Sequence, residues 1–112
     1  MVNVPRLKIV VISRLRSLLE KILDLKKELH GQSPAEMLLD KKTNEMINAV
    51  PALVRADAHN KLWEMIDDVE RAVKVIESTN LGKAYPRIIV RMKGKVMKVH
   101  QQLNLLEKLA KH

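Results

Sequence analysis

Apolar residues return every three or four positions in four successive runs along this chain, and that spacing predicts four helices. In the first run Leu7, Val11, Leu15, Leu18, Ile22, Leu25 and Leu29 keep one side of a helix over 5–30, with Pro5 suited to the first turn and Gly31 as a stop. Ile12, Leu19 and Leu23 widen the stripe, so this helix should face two neighbours at once. The second run opens on Ser33, Pro34 and Glu36, which supply a cap, a first-turn proline and the third-position acid of a capping box. Leu39, Met46, Ile47 and Val50 mark its buried side over 34–49.

Pro51 should end or kink that helix, because a proline inside a helix removes one backbone hydrogen bond and crowds the preceding turn. The third helix can then start at Pro51, or later with Asp57 as its cap. The earlier start is favoured and gives a helix over 52–79 with Leu62, Ile66, Val69, Val73 and Ile76 as its seam. Asn80 and Gly82 break the pattern, and Pro86 opens a last helix over 86–110 seamed by Ile89, Met92, Val96, Val99, Leu103, Leu106 and Ala110. The fold class expected is all-α, an antiparallel bundle of about four helices joined by short turns. All 112 residues form one domain, since no repeat and no long linker divides them.

Composition then narrows the chemistry. There is no cysteine, which excludes disulfides, thiolate zinc sites and thiol nucleophiles. The short apolar run from Ile9 to Ile12 is bracketed by cations and is too short for a signal sequence or a membrane span. An intracellular location is therefore expected, and a membrane partner is not.

Charge changes the picture more. The formal net charge is +8, with seven basic against three acidic residues in 1–30, six against nine in 31–82 and eight against one in 83–112. Two basic ends around an acidic middle point to a polyanionic partner. On the last helix Arg87, Arg91, Lys95 and Lys98 recur three or four apart, a positive row of about 16 Å at ~1.5 Å per residue. Lys83 and Lys93 add to its field, and Arg14, Arg16 and Lys21 would extend it if the first and last helices lie side by side. The competing explanation is that these cations pair with the acids of the middle helices or are simply solvated.

With one tryptophan, one tyrosine and no phenylalanine, the chain has too few rings to stack single-stranded bases. Backbone contact to DNA or to structured RNA fits better, and no segment has the marks of a sequence-reading helix. The acids Glu64, Asp67, Asp68 and Glu70 invite a metal or acid–base reading, but no histidine stands beside them in sequence and there is no Glu-x-x-His. Asp67 with Arg71 and Glu70 with Lys74 are spaced as surface ion pairs. His30, His59, His100 and His112 do not cluster, and no serine lies in a nucleophile elbow. No enzyme activity, cofactor or metal is therefore expected.

A surplus of apolar residues lies off the main seams: Val90, Met97 and Leu105 on the last helix, Ile9 and Val10 on the first. Either they pack within the bundle or they form an interface with another chain. The leading expectation is a small basic non-enzymatic protein that binds nucleic-acid backbone with low sequence preference, as a subunit of a larger nucleoprotein assembly. The alternative is a structural or adaptor protein that self-associates or docks a protein partner through those apolar positions.

Overall fold

Ser33 begins the second helix as its neighbours dictate. Its backbone N–H donates to Glu36 Oε2 at 2.8 Å and its hydroxyl accepts from the Glu36 N–H at 3.4 Å, closing the capping box. The computed structural model describes residues 4–31 and 33–111, so His112 lies outside the described residues. Its elements are α1 (Val4–Lys27), α2 (Pro34–Arg55), α3 (His59–Glu77), the short α4 (Asn80–Ala84) and α5 (Pro86–Ala110).

The four long helices form a ring in which α1 packs on α2 and α5, and α3 packs on α2 and α5. Ion pairs show that neighbours run antiparallel: Lys8 near the start of α1 meets Asp57 just past the end of α2 at 2.7 Å, and Lys26 near the end of α1 meets Asp40 near the start of α2 at 2.7 Å. The bundle measures 51 × 21 × 17 Å. Its interior is aliphatic, with Leu15, Leu19, Ile22, Leu39, Met46, Leu62, Ile66, Met92 and Leu103 fully enclosed. The seams expected of α3 and α5 are buried throughout, except that Ala110 at the end of α5 is exposed.

Three helix boundaries differ from the sequence expectation. First, α2 does not stop before Pro51 but runs through it to Arg55. The proline costs about 3 kcal/mol in a helix interior, whereas Val50 and Val54 on either side of it are completely buried and contribute roughly 1.5–3 kcal/mol each. Packing wins over local preference.

Second, α3 does not start at Pro51, the favoured position, because residues 51–55 belong to α2, and Asp57, the alternative first cap, ends α2 instead. The Ala58 N–H donates to Leu53 O at 2.9 Å and the Asp57 N–H to Val54 O at 3.2 Å, the paired bonds of a Schellman motif, with Asp57 in the left-handed region at φ 55°. Helix α3 accordingly starts at His59, with no side-chain cap. The Asp57 carboxylate accepts from Lys8, and that hydrogen bond together with the lysine charge holds it below the ordinary carboxylate range. Third, the stretch expected to be irregular after Ser78 contains α4. Thr79 caps it by accepting from the Gly82 N–H at 3.3 Å.

Candidate nucleic-acid interface

Because α1 is the neighbour of α5, the two basic ends of the sequence lie on one side of the bundle, and the acidic middle, folded as α2 and α3, lies on the other. The flanks where the halves meet are stitched by ion pairs: Lys8–Asp57 and Lys26–Asp40 along α1 and α2, and Lys93–Glu77 along α5 and α3. The cations turned toward the α1/α5 seam and outward are a different set. Arg14 faces Lys98 across a groove of about 300 Å³, beside Ser17, Gln101 and Gln102. Further along, Lys21 faces Lys95 and Arg91 across a second groove of about 320 Å³. Arg87 stands next to Arg91 and Val90 at the start of α5.

Among the described residues Arg14, Lys21, Arg87, Lys95 and Lys98 make no ion pair, whereas Arg91 approaches Glu28 at 3.9 Å. Asp24 and Glu28 share the second groove, so the strip is positive but interrupted. Neither acid was singled out by spacing, because both sit on α1 and become relevant only when α5 is laid beside it. The polar Ser17, Gln101 and Gln102 enter the same way, as hydrogen-bond donors lining the groove.

Three of the nine cations picked from the sequence are not part of this seam. Arg16 is rotated about 200° from Arg14 around α1 and pairs with Glu20 at 3.1 Å. Lys93 lies on the opposite flank of α5, held by Glu77 of α3. Lys83 is an exposed residue of α4.

The cross-section decides whether the acidic half matters to an approaching anion. At physiological salt the screening length is about 8 Å, shorter than the 17–21 Å that separate one side of the bundle from the other. A polyanion at the α1/α5 seam therefore meets the local cations and little of the distant carboxylates.

The apolar surplus points outward. Val90 is 68% exposed, Met97 63% and Ile9 65%, with Val10 and Leu105 at 39% and 37%. No helix among the described residues is long and apolar enough to cross a membrane. A surface hollow of about 610 Å³ lies at the end of the bundle where α3 begins and α5 finishes, among Asp57, His59, Lys61, Glu64, Glu107 and Lys111, a mixed-charge rim whose Asp57 is already held by Lys8.

Comparison with models of known protein families, with curated proteins and with solved structures found no match.

Proposed function

We propose that this protein binds the phosphate backbone of nucleic acid, duplex DNA or structured RNA, along the α1/α5 seam and with little sequence preference. The observation that carries the reading is the segregation of charge: five cations that make no ion pair among the described residues gather on one side from two adjacent helices, while the cations of the flanks are neutralised by α2 and α3. Arg14, Lys21, Lys95 and Lys98 reach phosphates from both walls of the groove, and Arg87 and Arg91 extend the contact toward the start of α5. Each phosphate neutralised releases counterions, so affinity falls steeply with salt.

Fluorescence anisotropy of a labelled duplex and a labelled RNA hairpin, titrated at several salt concentrations, tests this. Replacing Arg14, Lys21, Lys95 and Lys98 with alanine should weaken binding at least tenfold and flatten the salt slope by roughly 3–4, at ~0.9 per phosphate contact. Replacing Lys41, Arg55, Lys61 and Arg71 removes the same charge from the α2/α3 side and should leave the affinity within about threefold, since distant charges are screened. Equal losses in the two variants, or no salt-sensitive binding by the wild type, would sink the idea.

A second reading is favoured by the outward apolar residues of α5. Val90 and Met97 lie on either side of Gly94, whose missing side chain leaves open space, so two antiparallel α5 helices related by a two-fold axis would set Val90 of each copy against Met97 of the other. The surrounding cations oppose such pairing, so this dimer strengthens as salt rises. Nucleic-acid binding has the opposite dependence, and light scattering across dilution and salt series separates the two.

A further inference from the structure

Three side chains of metal-ligand type that the sequence keeps far apart meet between α3 and α5, on the flank away from the α1/α5 seam. Asp67 and Glu70 stand one turn apart on α3 and His100 reaches them from α5, and one donor atom from each lies within 4.8 Å of the other two. The His100 Nε2 atom is closed off from solvent and has no hydrogen-bond partner. Glu70 Oε2 lies 3.7 Å from it, too long for a hydrogen bond. Two ligands of one tetrahedral zinc ion, bonded at ~2.0–2.1 Å, sit about 3.4 Å apart, so a small closing movement converts this contact into a shared coordination edge.

We propose that Asp67, Glu70 and His100 bind a divalent transition-metal ion, zinc above magnesium, with water completing the coordination. One imidazole and two carboxylates form a donor set suited to zinc, while magnesium prefers oxygen ligands alone. The imidazole is held in place by Trp63, whose ring centroid is 5.4 Å away and whose indole N–H donates to Glu107. Beside Glu70 and His100 a cavity of about 270 Å³ walled by Val73 and Val96 gives room for the water ligands. Two ammonium groups face the same cavity: Lys74, 3.7 Å from Glu70 Oε1, and Lys93, which is occupied by Glu77. The ion therefore has to compete with Lys74 for Glu70, which lowers its affinity below that of a site without cations. The proposal does not depend on the phosphate-binding reading, since none of its three ligands belongs to the seam.

Isothermal titration of the full chain with zinc chloride, and separately with magnesium chloride, is the test. The wild type should take up one zinc ion per chain, ignore magnesium at the same concentration, and melt at a higher temperature with zinc present. His100→Gln, Glu70→Gln and Asp67→Asn should each weaken zinc binding at least about tenfold, a loss no smaller than that seen on removing an outer-shell partner. Asp67 is exposed, so its variant folds whatever the other two do, and helicity by circular dichroism confirms this. His59→Gln, which changes the other histidine with an unpartnered buried Nε2, should bind zinc as the wild type does. Absence of zinc uptake by the wild type, or unchanged uptake by both His100→Gln and Asp67→Asn, overturns the assignment.

Discussion

Gly82 and Gly94 look alike in sequence, since each interrupts a helical pattern, but the space around them differs completely. A methyl group at Gly82 would lie 2.2 Å from Ile76 O and 2.6 Å from the Glu77 Cα, both backbone atoms that cannot rotate away. Glycine is what lets the short α4 fold down onto the end of α3. At Gly94 the same methyl group would meet nothing within 4 Å. Gly82→Ala should therefore destabilise the protein by roughly 1–3 kcal/mol, as overpacking does, and Gly94→Ala should stabilise it by about 0.5–1 kcal/mol, because alanine in an exposed helix interior has less chain entropy to lose. Urea denaturation of the two variants checks both signs, and a stable Gly82→Ala protein would mean that α4 is free to move off α3. The metal-ligand trio depends on the same kind of fact. Asp67 and Glu70 were visible as acids at helical spacing, but their histidine stands 30 positions later and no local pattern ties it to them.

At the scale of elements, what the sequence could specify was whatever depended on period and on nearest neighbours. The seams Leu62 to Ile76 and Ile89 to Leu106 are buried as their spacing required, and the capping box at Ser33 forms with both of its bonds. What failed was the stretch from Pro51 to Ala58, where a local breaker competes with burial contributed by other helices. The favoured start of the third helix at Pro51 gave way to burial, and Asp57, the alternative first cap, closes α2 instead: the chain needed a left-handed residue there, and aspartate tolerates that conformation better than most. The role has a testable signature. Asp57→Gly and Asp57→Ala both delete the carboxylate that meets Lys8, so they differ only in how well the residue accepts φ 55°. Thermal melts should place the alanine variant several degrees below the glycine variant, although alanine is the better helix former. The reverse order would show that Asp57 starts α3 after all.

For the molecule as a whole, the basic ends and acidic middle were plain in the composition, but their meaning depended on which helices are neighbours. In a ring of four antiparallel helices the first closes on the last, so α1 and α5 merge their charge, and the flanking acids of α2 and α3 remove only the cations that face them. The interruption by Asp24 and Glu28 could not be read without that pairing. The bundle behaves as a rod with opposite charge on its two sides, and salt determines how far each side is felt. Glu45 and Glu64 sit on the α2/α3 side with more than 40% of each side chain exposed, so Glu45→Gln with Glu64→Gln raises the net charge above its formal +8 without touching the seam. At about 0.15 M salt the screening length of ~8 Å is well under the bundle's width, and binding of a labelled duplex should change by less than about twofold. At about 0.01 M the length grows to ~30 Å, longer than the 21 Å cross-section, and the double variant should then bind several-fold more tightly than the wild type. Anisotropy titrations at the two salt concentrations measure this directly. An equal gain at both would mean that the duplex lies against α2 and α3, and the α1/α5 seam would no longer be the binding side.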